Sequence, residues 1–202
     1  NTFTGGVDLQ AGGLILGTNT SLGSGILNVS APTASISASA TLSGATNTIT
    51  LANSNTSLTL GNFGGAAMTL SGPVTWSSGA TVSRTITVNA AAAGGGTFNA
   101  QTLSGAITGS GTLVKQGVGI LALTGLNACS FNLTGAQAIQ ILNGTLQING
   151  ASSNDAALGF APGAVVSNNI VLNGGVLSDT TTAATLNPSR GISLGATGGV
   201  LE

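Results

Sequence analysis

The sequence lacks the residues on which most enzyme chemistry depends. Histidine and tyrosine are absent, three residues are basic and four acidic, and charged residues make up 3% of the 202 positions, against about 25% in an average soluble protein. Without histidine, a Ser-His-Asp triad and Cys/His metal clusters are excluded. The net charge of −1 leaves no basic footprint for nucleic acid or an anionic membrane. We therefore predict no enzyme activity and no catalytic, cofactor-binding or metal-binding residues.

Cysteine and long apolar runs are also scarce. The single Cys129 cannot form a disulfide bond within the chain, and we expect it to be a small apolar core residue. There is no run of about 18 apolar residues, so we expect no membrane-spanning helix. The first residues, NTFTGGVDLQ, have neither the basic segment nor the apolar core of a signal peptide. We expect the chain to be a mature piece or an excised segment.

Short stretches of alternating apolar and polar residues recur along the whole chain. Hydrophobic residues make up 42% of the sequence, whereas disordered chains are poor in them. No window shows sustained helical periodicity, so the alternation predicts short strands with one buried face. These are LIL (14–16), ILNV (26–29), TITL (48–51), SLTL (57–60), AMTL (67–70), TITV (85–88), TLV (112–114), ILAL (120–123), IQI (139–141), LQI (146–148), IVL (170–172) and ISL (192–194).

Two distant parts of the sequence resemble each other. Residues 1–16 align with residues 127–148 once a six-residue insertion is allowed in the second copy. Internal similarity of this kind is typical of repeat architectures. The matched pairs are Asn1 with Asn127, Phe3 with Cys129, Val7 with Ile139, Leu9 with Ile141, Gly12 with Gly144, Leu14 with Leu146, Leu16 with Ile148 and, further on, Leu22-Gly23 with Leu158-Gly159.

A long repeat of short strands without helices predicts an all-β solenoid. Its coils stack with neighbouring strands about 4.8 Å apart. Leu, Ile, Val and Ala are expected to point inward, and Gly and Asn to occupy the corners. We predict one continuous solenoid over 1–202, made of two partial long repeats with motif halves at 1–29 and 109–163. Stacked asparagines at the corners are a candidate for side-chain ladders: Asn53, Asn143 and Asn173.

The stretch GSGTLVKQGVGILALTG, at 109–125, combines glycines with one of the three basic residues, Lys115. A phosphate-binding loop would need GxxxxGK, then Ser or Thr, at the start of a helix. Here a strand pattern follows instead. We interpret the stretch as two strands, TLVK and ILAL, joined at Gln116–Gly119. Lys115 is then expected to be an outward, solvated side chain.

The same stretch resembles the autotransporter-associated β-strand repeat, whose pattern is roughly GxGxLxKxGxGxLxLxGxNxYxG followed by TxVxxGxLxL. Residues 1–16 resemble its second half, and GSGILNV and PSRGISLGATGGVLE are similar to linking coils. The region 31–105 has the same short alternating strands but does not match the residue pattern of the repeat. The sequence also departs from the pattern at Cys129 and at the insertion near 130–137. The matching residues are Gly109, Gly111, Leu113, Lys115, Gly117, Gly119, Leu121, Leu123, Gly125 and Asn127.

This resemblance implies a right-handed parallel β-helix in a secreted protein displayed at a bacterial cell surface. The repeat itself is a scaffold, so the resemblance implies no catalytic residues. We expect a structural or adhesive stalk segment, without nucleic-acid binding or membrane insertion. Its expected partners are further copies of itself or host, matrix and glycan surfaces. One alternative is a subunit of a self-assembling extracellular fibre or sheath.

A second alternative is a polysaccharide-active enzyme on the same fold. Such chemistry needs clustered carboxylates together with a cationic group. The acidic residues are scattered in the sequence, and Asp155 lies in a polar turn where Asp commonly bonds the local backbone. A groove that combined several of the following residues would favour this alternative: Asp8, Asp155 or Asp179 with Arg84 or Arg190.

Overall fold

The computed structural model describes residues 1–52, 57–63, 65–76, 83–89, 98–124, 135–148, 155–180 and 185–202. Cys129 and Asn53 lie outside the described residues, as does most of the predicted insertion near 130–137. The described residues form strands and one single-turn 3₁₀ helix at Ala156–Leu158. The strands are β1 (Val7–Leu9), β2 (Gly13–Leu16), β3 (Leu27–Val29), β4 (Ser35–Ala38), β5 (Leu42–Ala45), β6 (Ile49–Leu51), β7 (Ser57–Leu60), β8 (Met68–Leu70), β9 (Val74–Trp76), β10 (Ser83–Val88), β11 (Gln101–Leu103), β12 (Ile107–Thr108), β13 (Thr112–Gln116), β14 (Ile120–Leu123), β15 (Ile139–Ile141), β16 (Gly144–Ile148), β17 (Val166–Leu172), β18 (Gly175–Asp179), β19 (Arg190–Leu194) and β20 (Val200–Leu201).

The strands belong to three parallel sheets that the chain visits in turn. Sheet 1 has the order β1-β3-β6-β9-β12, sheet 2 has β2-β4-β7-β10-β13-β15-β17-β19, and sheet 3 has β5-β8-β11-β14-β16-β18-β20. Each interior strand of a sheet pairs with the strand one coil before it and the strand one coil after it. The predicted all-β solenoid is confirmed, and its architecture is that of a parallel β-helix.

The core is a set of apolar rows that run from coil to coil inside the three sheets. Along β10, Arg84, Ile86 and Val88 are buried while the residues between them are partly exposed. Pairing aligns the buried positions, so Leu58 lies beside Ile86 and Ile139 beside Ile170. Each fully buried Leu, Ile or Val side chain stabilises the fold by about 1.5–3 kcal/mol. Stacking these rows holds the coils together through apolar contacts.

The outward positions of the middle coils carry columns of threonine on all three sheets. Thr50, Thr75 and Thr108 are neighbours on sheet 1. Thr59 pairs with Thr87 on sheet 2, and Thr69 with Thr102 on sheet 3. These side chains are half-buried, and β-branched residues suit such strand surfaces. The outer faces of these coils are therefore uncharged.

The two strands predicted in the glycine-rich stretch are present as β13 and β14. They lie on different sheets and are joined at a corner, where Gly117 has a φ of +75°. Every alternating stretch named in the sequence analysis lies on a strand, with at most its first residue outside that strand. Eight further strands are not among these stretches, because small or polar residues at their inward positions weaken the alternation or because their alternating run is very short: β1, β4, β5, β9, β11, β12, β18 and β20.

The internal sequence alignment matches strands on different sheets. In the first copy β1 and β2 lie on sheets 1 and 2, whereas the matched β15 and β16 lie on sheets 2 and 3. What the two copies share is a strand, a corner glycine of positive φ, and a second strand; Gly12 has φ +74° and Gly144 has φ +63°. The similarity therefore reflects a strand–corner–strand unit that is used at more than one corner.

Asparagines at the corners bond to backbone groups. Asn143 Oδ1 accepts a hydrogen bond from the Gly144 N–H at 2.7 Å. Asn173 Oδ1 accepts from the Thr197 N–H at 3.1 Å and from its hydroxyl at 2.7 Å. Pairing places Ile141 beside Leu172 and Gly144 beside Gly175, so the two asparagines are not aligned. The proposed ladder between Asn143 and Asn173 is replaced by separate contacts to the corner backbone.

Candidate functional site

All three basic side chains of the chain are buried inside the solenoid. Arg84 is 1% exposed, Lys115 0% and Arg190 6%. The expectation that Lys115 points outward is wrong. Lys115 lies in an inward row of sheet 2, with Ile86 on one side and Ile141 on the other. Because side chains alternate along a strand, it shares the inner face with Leu113 of the same strand.

The ammonium of Lys115 is held by carbonyl oxygens at the corner that follows β13. Its Nζ donates to Gln116 O at 2.8 Å, to Gly117 O at 2.8 Å and to Asn143 O, from the next coil, at 3.0 Å. Burial removes water from the charged group and lowers the pKa of Lys115 to about 7. Lys115 thus cross-links two coils through backbone acceptors.

Arg84 has a comparable position at the start of β10. Its Nε donates to Ser110 O, one coil later, at 3.4 Å, and burial lowers its pKa from the ordinary arginine value. Both residues direct cationic donors toward carbonyls near corners, where the chain passes from one sheet to the next. Buried charges need such partners because an isolated buried ion is very costly. We infer a structural role for both side chains.

Arg190 and Asp155 form a buried ion pair, and the pair has further partners. Arg190 Nε donates to Asp155 Oδ2. One terminal nitrogen of Arg190 donates to Asn169 Oδ1 at 2.8 Å, and the other donates to Gly159 O at 2.8 Å and Leu158 O at 3.4 Å. The expectation that Asp155 would bond its local backbone is wrong for its side chain, because its partners Asn187 and Arg190 lie 32 and 35 residues along the chain.

A cavity of about 340 Å³ lies beside this ion pair. One coil supplies the segment around the 3₁₀ turn, and the next coil supplies the segment that leads into β19. Asp155 is 6% exposed and Phe160 is 65% exposed at this cavity. The wall is mostly apolar with a few polar groups, which is typical of ligand sites. The lining residues are Asp155, Ala156, Gly159, Phe160, Ala161, Thr185, Leu186, Asn187 and Pro188.

A second hollow, of about 510 Å³, lies on the outside of sheet 1 beside Asp8. Asp8 Oδ1 accepts from the Ser30 hydroxyl and from Asn28 Nδ2 at 2.9 Å, and Oδ2 accepts from Gln10 Nε2 at 2.8 Å. The hydrogen bond from Ser30, followed by that from Gln10, holds the pKa of Asp8 below its usual value. The carboxylate is already supplied with donors from its own chain.

The acidic residues do not converge on one groove. Asp8 is on β1, at one end of sheet 1, whereas Asp179 ends β18, six coils later, which at 4.8 Å per strand is a separation of about 30 Å along the stacking direction. Among the acidic residues that the structure describes, Asp155 alone lines the cavity beside Arg190. The polysaccharide-active enzyme would need several of the acidic residues in one groove with Arg84 or Arg190. The structure brings one such acid and base together, Asp155 and Arg190.

The described residues contain no group of three or more His, Cys, Asp or Glu side chains arranged to hold a metal ion. Within the same residues, no helix has the length and apolar character needed to cross a membrane.

Comparison of the chain with known proteins gives no match: no family model, no curated protein and no solved structure is significantly similar to it. The similarity to the autotransporter-associated repeat therefore rests on the glycines and apolar residues quoted above and stays a prediction.

Sequence reasoning did not identify Phe160, Asn169 or Asn187 as parts of a site. A usable signal for the ion pair was the rarity of charge, because in a chain with 3% charged residues each charged side chain is a candidate for a specific contact. The sequence distance of 35 residues between Asp155 and Arg190 is close to one coil. To infer from the sequence that Asp155 and Arg190 are neighbours, one would need to know the length of that coil, and coil length varies along the chain.

Proposed function

We propose that this chain is a non-catalytic structural or adhesive stalk segment of a secreted repeat protein at a bacterial cell surface. The observation that carries the proposal is the continuous parallel stacking of sheet 2, which contains eight strands and spans about 34 Å at 4.8 Å per strand. A stack of this kind is extended by adding coils, which suits a stalk. The resemblance to the autotransporter-associated repeat supports the same function.

The distribution of charge also supports this proposal. The basic side chains are inside the solenoid, where a trypsin-like protease cannot reach them, and the threonine columns leave the outer faces of the middle coils uncharged. Such a surface is well suited to an extracellular environment that contains proteases.

The test is surface labelling of the bacterium that encodes the chain. Antibodies raised against residues 1–202 are applied to intact cells and to permeabilised cells, with a periplasmic protein as the control. We expect full labelling of intact cells and loss of the label after proteinase K treatment of those cells. Labelling that requires permeabilisation would contradict the proposal.

A self-assembling fibre subunit is the second candidate function. Charged residues make up 3% of the chain, so little electrostatic repulsion opposes the association of copies. Exposed strand edges favour the addition of further strands. Electron microscopy of the purified chain distinguishes the two functions. Filaments with a repeat near 4.8 Å along the axis would favour the fibre, and separate short rods would favour the stalk.

A further inference from the structure

We propose that the cavity lined by Asp155, Phe160 and Asn187, here called the Asp155 cavity, binds an uncharged saccharide unit. The proposal rests on the adhesive role proposed above and names its ligand class. At about 340 Å³, the cavity lies within the usual range for small-ligand sites, about 300–1,000 Å³.

The first argument is the arrangement of acceptor groups on Asp155. Its Oδ2 accepts from Arg190 Nε and from the Asn187 N–H at 3.3 Å, which fixes the orientation of the carboxylate. Among the described residues no donor bonds to its Oδ1. A fixed carboxylate oxygen without a protein donor, in a residue that lines a cavity, is suited to accept hydrogen bonds from a ligand hydroxyl group.

The second argument is the charge of the cavity. The buried guanidinium of Arg190 lies against the Asp155 carboxylate, so the two charges balance each other. Arg190 also donates to Asn169 Oδ1 and to the carbonyls of the 3₁₀ turn, so its donors are used within the protein. A cationic ligand therefore gains little net attraction, and an anionic ligand meets the carboxylate. Neutral hydroxyl donors fit best.

The third argument is the apolar wall. Phe160 presents an exposed ring at the cavity, and Ala161, Leu186 and Pro188 add apolar surface. A pyranose ring has an apolar face of C–H groups and a polar edge of hydroxyls. The cavity offers a matching aromatic surface beside a fixed acceptor.

The arrangement favours binding over hydrolysis. Glycoside hydrolysis by the usual mechanism needs two carboxyl groups about 5–9.5 Å apart. Asp155 is the one carboxylate that lines the cavity among the described residues, and its charge is neutralised by Arg190. We infer that a bound saccharide is held without being cleaved.

The experiment is an NMR titration of the ¹⁵N-labelled chain with cellotetraose, mannotetraose and chitotetraose as neutral probes and tetragalacturonate as the acidic comparison. We expect at least one neutral probe to shift the amide signals of residues 155–161 and 185–188. Tetragalacturonate should leave those signals unchanged. Absence of a response to all three neutral probes would overturn the proposal, as would shifts confined to other coils.

Variants locate the site. Phe160→Ala should weaken binding about tenfold or more, and Phe160→Trp should keep it. The matched control is Phe98→Ala, since Phe98 is 40% exposed and does not line the cavity. Equal binding by the Phe160→Ala protein and the wild type would overturn the proposal. Asp155→Asn, checked for folding by circular dichroism, should lose binding; if it unfolds, the Phe160 variants decide.

The test of saccharide binding and the test of the stalk proposal can fail independently of each other. Surface labelling of intact cells does not depend on saccharide binding. Labelling without a response to the neutral probes would reject the saccharide site and leave the stalk standing. Capture of a protein partner that Phe160→Ala abolishes, without any saccharide response, would also reject the saccharide site.

Discussion

Lys115 shows how a single charged residue is accommodated in an apolar interior. Its aliphatic stem continues the row formed by Ile86 and Ile141. Its ammonium reaches carbonyls at the corner, two from its own coil and one from the next. A neutral amine has two N–H bonds, so one of the three acceptors loses its donor when Lys115 is deprotonated. The residue is therefore both a packing element and a titratable link between coils.

The stability of the protein should depend on the protonation of Lys115. Its pKa is about 7 in the folded protein against 10.5 for an ordinary lysine. Between these values the unfolded chain binds more protons, so the free energy of unfolding should rise as the pH increases from about 7 to about 10.5. The rise should amount to a few kcal/mol, since one pKa unit corresponds to about 1.4 kcal/mol. Urea denaturation at a series of pH values measures it.

The absence of histidine and tyrosine makes this test unusually clean. The chain has one thiol, Cys129, and a Cys129→Ala background removes it from the comparison. Lys115→Met keeps an unbranched side chain of similar length and should flatten the pH profile above pH 7. If the Lys115→Met protein kept the same rise in stability, Lys115 would not be its source.

At the scale of the element, the corners between sheets 2 and 3 decide how closely coils can stack. Gly117 and Gly144 occupy corresponding corners of successive coils and have φ of +75° and +63°. A Cβ added at Gly144 would lie 2.4 Å from Gly117 O and 2.6 Å from Gly119 O. Glycine is required there both for its backbone conformation and for the close approach of the coil below.

Substitution of Gly144 by alanine should therefore destabilise the protein. We expect the free energy of unfolding to fall by about 2–4 kcal/mol, from the left-handed backbone and the steric overlap together. The matched control is Gly163→Ala, because Gly163 is exposed and a Cβ there would meet nothing within 4 Å. That control should change stability by less than about 0.5 kcal/mol. Equal effects of the two substitutions in chemical denaturation would contradict the assignment of the corner.

At the scale of the whole molecule, burial of every basic residue has a consequence for proteolysis. Trypsin cleaves after Lys and Arg, and the chain has three such positions, Arg84, Lys115 and Arg190. All three are buried within strands of sheet 2. Cleavage by trypsin then requires a strand to detach from sheet 2. Detachment of a strand also exposes the apolar core residues beside it, so it is costly.

We expect the native protein to resist trypsin under conditions in which its urea-unfolded form is cut into four fragments. The first slow cut should occur after Arg190, because β19 is the edge strand of sheet 2 and edge strands open more easily than central ones. Mass spectrometry of a digestion time course identifies the order of cleavage. Rapid cutting after Lys115 in the native protein would contradict the buried position of that side chain.

The sequence alone was sufficient to predict the class of fold and the apolar part of its core. Period-2 alternation over three to five residues depends on local geometry, because successive side chains of a strand point to opposite faces. Stretches such as SLTL and TITV therefore indicated β7 and β10 directly. The same alternation placed Lys115 on the face of Leu113, but a solvated lysine was expected because no acceptor for a buried ammonium is evident in the sequence.

Tertiary structure decided which residues lie side by side. Paired residues of sheet 2 are 22 positions apart at Leu14 and Ile36 but 31 positions apart at Ile139 and Ile170. With coils of unequal length, sequence spacing does not give the register. The third carbonyl at Lys115 comes from Asn143, and the partner of Asp155 is Arg190 in the next coil. Local alternation fixes the direction of each side chain. The length of each connecting segment decides which residues of the next coil lie beside that side chain. Those residues supply the partners of the buried charges and the walls of the Asp155 cavity.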